Sequence, residues 1–192
     1  MTHEKYLFRE RSPHRTCTAV YSDYRRYKSQ IASDFNYRCA YTDSPDYFFG
    51  GKRCFHIDHI KPKSKYPKLI NDYTNLAYVC SYVNIKKSNI EMIIPDPCLI
   101  DWNLIFYRDS YGNIKPNIEN NESVMLYSSL SLYLKRYGII FILEKLFNQK
   151  QKLHELCESL GGYEHVDKDI LILIAELDKL YHKYYKYLQI EL

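Results

Sequence analysis

HIDHIKPKS, residues 56–64, sets two histidines around an aspartate and then turns through a proline into lysines. Two readings fit these nine residues. One is a solvated polar loop. The other is a site that holds a metal ion, takes a proton from water and grips a phosphate. Phe55 and Ile57 alternate with polar neighbours, so a short strand is expected to carry Asp58 and His59 into a turn at Pro62. Successive strand residues point to opposite sides, which puts His56 and Asp58 on one face and His59 on the other.

Working outward, Asn75 follows in DYTNL and Asn84 in CSYVNIKK. The order reads D-H … N-L … C-x-x-x-N-x-x-K. Through Asp58, His59, Pro62, Asn75, Leu76, Cys80, Asn84 and Lys87, the stretch from about 37 to 90 resembles the HNH nuclease family, built on the ββα-metal motif. The resemblance implies a phosphodiesterase with catalytic positions at His59 and Asn75 and metal ligands at Asp58 and Asn84. His59, with an ordinary pKa near about 6.5, is a competent base at neutral pH. Asn75 is expected to fasten the loop and orient the histidine. Lys61, Lys63, Lys65, Lys86 and Lys87 are expected to contact phosphates of DNA. His56 is expected to support the strand, with a place behind the metal ligands or a role as an extra ligand as the alternatives.

The sequence departs from the family pattern in two places. Asn84 stands at the third family position in place of histidine, so the site is all-oxygen and favours Mg²⁺ or Mn²⁺ over Zn²⁺. The two C-x-x-C knuckles that many relatives use for structural zinc read Cys39-Ala-Tyr-Thr42 and Cys80-Ser-Tyr-Val83. Each has lost one thiolate, and two thiolates do not complete a tetrahedral zinc site. No structural zinc is expected, and Cys39 and Cys80 become buried thiols; the alternative is that Cys54 or Cys98 contributes a further ligand.

Composition agrees with an intracellular globular protein. The 192 residues suffice for one domain, or a small domain with an extension. No run approaches twenty apolar residues and the N-terminus is polar, so neither a membrane span nor a signal peptide is expected. Six cysteines without a tight framework suggest a reduced, cytoplasmic setting. Charge is uneven. Residues 1–89 carry 16 Lys and Arg against 8 Asp and Glu, net +8, and residues 90–192 carry 11 against 15, net −4. A polyanion would be steered to the first half.

The expected fold class is α+β and predominantly helical, a ββα-metal core flanked by helices. Residues 1–36 form an N-terminal helical segment, with Val20, Tyr21, Tyr24, Tyr27, Ile31 and Phe35 at helical spacing over about 16–36. Residues 37–100 form the nuclease core. Residues 101–192 form a connecting segment and a C-terminal helical docking region. There one helix is expected from about 123 to a stop at Gly161-Gly162. A second carries Val166, Ile170, Ile174, Leu177, Tyr181, Tyr184 and Leu188 on one face.

A narrower likeness lies in RCAYTD, HIDHIKPKSKYP, YTNLAYVC and DPCLIDWNLIFYRDSYGNIKP. With the helical tail, these resemble the HNH effector of the Septu and retron-associated anti-phage systems. The resemblance implies a defence nuclease controlled by an ATPase like ABC or SMC proteins, docked through the tail. Self-association through the tail is the alternative. Two other functions stay open: a stand-alone restriction, homing or phage nuclease, and an HNH-like module that grips nucleic acid without cutting.

Overall fold

The computed structural model describes residues 5–87, 94–119 and 121–190. Helices and small sheets are mixed, and the chain divides into two compact units, Met1–Ser110 with Ile114–Tyr133, and Tyr111–Asn113 with Leu134–Leu192.

At the centre of the first unit, β2 (Phe55–His59) pairs antiparallel with β3 (Leu76–Cys80). The register sets Phe55 opposite Cys80, Asp58 opposite Ala77 and His59 opposite Leu76. Every residue of β3 is buried, because α1 (Lys28–Asp34) and α2 (Ser81–Lys87) both pack on it. A strand covered on both faces has no polar side to show, which is why LAYVC lacks alternation. The chain passes from β3 directly into α2, and α2 also packs against β2.

A second sheet has the order β1 (Tyr6–Leu7), β4 (Phe106–Arg108), β5 (Ile114–Pro116), all antiparallel. It is joined to the loop before β2 by buried polar contacts and a ring cluster. The Arg9 guanidinium donates to the Ala40 carbonyl at 2.6 Å, and Arg108 donates to the carbonyls of Phe8 and Thr42 at 3.2 and 2.7 Å. Trp102 is fully buried against Phe8, Tyr41 and Phe106, with ring centroids 5.5–5.8 Å apart.

The N-terminal helix differs from the expected span of about 16–36. Helical structure starts with a 3-10 turn at Tyr24–Tyr27 and continues as α1. Asp23 caps the start, accepting from the Arg25 N–H at 3.0 Å. Upstream, the Thr16 N–H and hydroxyl both donate to the Asp34 carboxylate, at 2.8 and 2.6 Å, which holds that segment alongside the helix. Val20, expected on the helical stripe, lies 91% exposed. At the far end Asn36 takes φ +54°, and the N–H groups of Asn36 and Tyr37 close on the carbonyls of Ser33 and Ala32. This is the paired closure that ends helices in a left-handed residue.

The same closure divides the tail. Beyond α3 (Asn121–Ser129), Ser131 takes φ +53°, with Ser131 and Leu132 bonding back to Ser128 and Tyr127. The single helix expected from about 123 is therefore two, and α4 (Lys135–Ser159) starts afresh after an extended Leu134. α4 stops where the glycine pair predicts. Gly161 at φ +95° and Gly162 bond to the carbonyls of Glu158 and Cys157.

In the second unit α4 packs on α5 (Lys168–Ile190) as a helical hairpin. The stripe Val166, Ile170, Ile174, Leu177, Tyr181, Tyr184 and Leu188 is its less exposed face, as the periodicity predicts. Lys150 of α4 forms an ion pair with Asp178 of α5. Leu171, Leu173, Leu180, Tyr185 and Tyr187 of α5 are exposed. No helix among the described residues is long and apolar enough to cross a membrane.

Trp102→Ala removes the ring on which Phe8, Tyr41 and Phe106 converge. It is expected to cost about 3–5 kcal/mol of stability, as large-to-small changes of buried aromatics do. Urea unfolding followed by circular dichroism measures this, and a loss below about 1 kcal/mol would contradict the packing described.

Candidate active site

Asp58 and His59 are neighbours at the end of β2, with side chains on opposite faces of the strand. The two faces have different surroundings, and each is built from elements distant in sequence.

On one face the Asp58 carboxylate accepts from the Tyr41 hydroxyl at 2.8 Å and pairs with the Lys87 ammonium at 2.6 Å. Both contacts fall on Oδ2, so Oδ1 keeps its lone pairs among the described residues. Tyr41 is delivered by the loop before β2, whose Ala40 N–H donates to the Tyr78 carbonyl of β3 at 2.7 Å. Burial, and then the charge of Asp58, push the Tyr41 phenol well above its ordinary pKa. Tyr41 therefore stays a protonated donor. Lys87 reaches the site from the last turn of α2 and also donates to the His59 carbonyl. Its side chain is 7% exposed. This departs from the expectation that Lys87 contacts phosphate in solvent: a buried ammonium needs a partner, and here the partner is Asp58.

On the other face His59 is buried, and its Nε2 lies 2.9 Å from the Ile70 carbonyl. A carbonyl only accepts, so Nε2 carries the proton and neutral His59 has its lone pair on Nδ1. The Tyr24 ring meets the imidazole edge-on, with centroids 4.8 Å apart at 71°. Asn71 ties this wall to the loop, accepting from the Tyr24 N–H at 3.0 Å and donating to the Ser22 carbonyl at 2.6 Å.

Asn75 closes the loop between β2 and β3. Its Oδ1 accepts from the Lys61 N–H at 2.8 Å, and its Nδ2 donates to the carbonyls of Lys61 and Leu69 at 3.1 and 3.2 Å. One 5%-exposed amide thus satisfies three backbone groups across fourteen residues of chain. Asn84 is half-buried on α2, three residues before Lys87 and so on the same side of that helix. Lys61, Lys63, Lys65 and Lys86 are exposed, as is His56 on the Asp58 face.

The cysteines at the two knuckle positions adjoin. The Cys80 N–H donates to Cys39 Sγ at 3.4 Å. Burial pushes the Cys39 thiol up, but hydrogen bonds from Cys80, Thr42 and nearby backbone outweigh it, so the net direction is down. The Cys80 thiol is pushed well up by its side-chain hydrogen bond to Cys39 and by burial. Cys54 is exposed and Cys98 half-buried. Among the described residues, no group of three or more His, Cys, Asp or Glu is arranged to hold a metal ion.

Sequence reasoning did not find Tyr24, Tyr41 or Asn71. Tyr41 lies inside the knuckle remnant near Cys39, where its residue type carries no signal of the contact with Asp58. Tyr24 read as one more position on a helical stripe.

Asn75→Ala should leave the Lys61 N–H without its partner and cost about 1–3 kcal/mol. Chemical denaturation measures the loss. Unchanged stability would mean that the loop does not depend on this amide.

No curated protein matches the chain. Residues 38–89, from the loop that carries Tyr41 through β2, β3 and α2, match the family model described as HNH endonuclease, which supports membership of the HNH family for this segment.

Proposed function

We propose that the protein is a metal-dependent HNH endonuclease that hydrolyses phosphodiester bonds in DNA. The observation that carries this reading is the split environment of Asp58 and His59 within the family-matching segment. One face holds a carboxylate with an oxygen uncommitted among the described residues. The other holds an imidazole whose outer nitrogen is committed to a carbonyl.

Asp58 Oδ1 and the Asn84 amide oxygen are the residues that would hold the ion. Two protein oxygens fit Mg²⁺ or Mn²⁺, which keep several water ligands and take others from substrate phosphate. The bound ion would neutralise charge building on the phosphate and the departing oxygen. His59 Nδ1 takes the proton from the attacking water. The Ile70 carbonyl, by accepting from Nε2, holds the tautomer that leaves Nδ1 basic. Asn75 holds the loop that supplies this carbonyl, so it positions the base and does not meet substrate. Exposed Lys61, Lys63, Lys65 and Lys86 grip backbone phosphates.

A role as a defence effector with an ATPase partner rests on the likeness of RCAYTD, HIDHIKPKSKYP and YTNLAYVC to that group. The exposed apolar side chains of α5 favour such docking.

His59→Ala is expected to lower plasmid cleavage by about 10²–10⁴ while DNA binding persists, the range for loss of a general base. EDTA should abolish cleavage, and Mg²⁺ or Mn²⁺ should restore it. Wild-type rates in His59→Ala, or full activity in EDTA, would reject the mechanism. In the tail, Tyr185→Glu is expected to reduce co-purification with an ATPase encoded beside this protein, without loss of helicity. Undiminished capture would reject docking through this face.

A further inference from the structure

The Lys87 ammonium occupies ground that a metal site would be expected to keep for a cation. It lies 2.6 Å from Asp58 Oδ2, donates to the His59 carbonyl, and sits 5.8 Å from the centroid of the Tyr41 ring. Three elements converge on this one charge: the end of β2, the loop before β2 and the last turn of α2. Its side chain and that of Asp58 are 7% and 12% exposed, so water screens the pair poorly. Lys86, next along the helix, is exposed and takes no part in this cluster.

We propose that Lys87 is a built-in counter-cation that holds Asp58 in place without a divalent ion and competes with that ion for the carboxylate. The inference rests on the reading of Asp58 as a metal ligand. A carboxylate buried without a positive partner would be costly. Lys87 meets that need and keeps the end of β2 ordered in the metal-free protein. The same charge opposes the arrival of a second cation on the same carboxylate, whether Lys87 stays on Oδ2 or swings away. Lys87 thus trades metal affinity for order, and makes metal occupancy depend on the free ion concentration. It is a positioning residue.

The test is binding of Mn²⁺ alone, followed by electron paramagnetic resonance of the free ion, for wild type, Lys87→Met, Tyr41→Phe and Asp58→Asn. Lys87→Met keeps the apolar stem and removes the charge. Its dissociation constant for Mn²⁺ should fall by about tenfold or more, the scale of one poorly screened charge pair. Its melting temperature without metal should drop, and Mn²⁺ should restore more of it than in wild type. Tyr41→Phe removes the neutral donor from Oδ2 and should tighten Mn²⁺ binding to a smaller degree. Lys87→Gln, which removes the charge but keeps a donor for the His59 carbonyl, carries the test if circular dichroism shows Lys87→Met unfolded, with the same tightening expected. Asp58→Asn should abolish binding. Unchanged or weaker Mn²⁺ binding in folded Lys87→Met, with Asp58→Asn still inactive in binding, overturns the role of Lys87 and leaves the metal site standing. No Mn²⁺ binding in wild type and both tightening variants overturns the metal site, and this inference with it.

Discussion

A lysine ammonium inside a protein must find a negative partner or lose its charge. Lys87 finds Asp58, and that pairing ties the last turn of α2 to the last residues of β2. The bond to the His59 carbonyl extends the tie to the next residue. Tyr41 completes it from a third direction, because its phenol stays protonated and so donates to the carboxylate. The short hairpin Phe55–His59 and Leu76–Cys80 would be marginal alone. The helices packed on β3 and this polar clamp at the loop end make it a fixed platform.

The loop that returns from β2 to β3 is ordered by a different device. Asn75 matches its amide to Lys61 and Leu69, and Asn71 matches its own to Ser22 and Tyr24. These side chains substitute for a regular ladder over residues that form none. Their combined effect is to set the Ile70 carbonyl under His59. The histidine's tautomer is thus decided by the Ile70 carbonyl, in a loop that Asn75 fastens at the neighbouring Leu69.

Much of this arrangement was legible beforehand. The alternation before Asp58-His59 foretold a strand, Gly161-Gly162 foretold the end of α4, and the stripe from Val166 to Leu188 foretold the inward face of α5. Each depends on neighbours a few residues apart, where backbone geometry dictates the pattern. The helix ends at Asn36 and Ser131 were less legible, since left-handed residues other than glycine carry a weak local signal. The N-terminal helix was read too long because a helical stripe does not reveal that Thr16 is bound to Asp34 eighteen residues on.

The order of Asp58, His59, Asn75, Asn84 and Lys87, together with their chemistry, is a property of the sequence by itself. So are the lost thiols at residues 42 and 83, and the excess of positive charge in residues 1–89. Which lysines face solvent and which turns inward was decided by tertiary structure. Lys86 and Lys87 are adjacent and chemically identical, yet helical geometry sends one to water and the other to Asp58. The partners Tyr24, Tyr41 and Ile70 likewise come from segments 11 to 35 residues away from the groups they serve. Hydrogen bonds and ion pairs act through space over about 3 Å, and only the folded chain sets those distances.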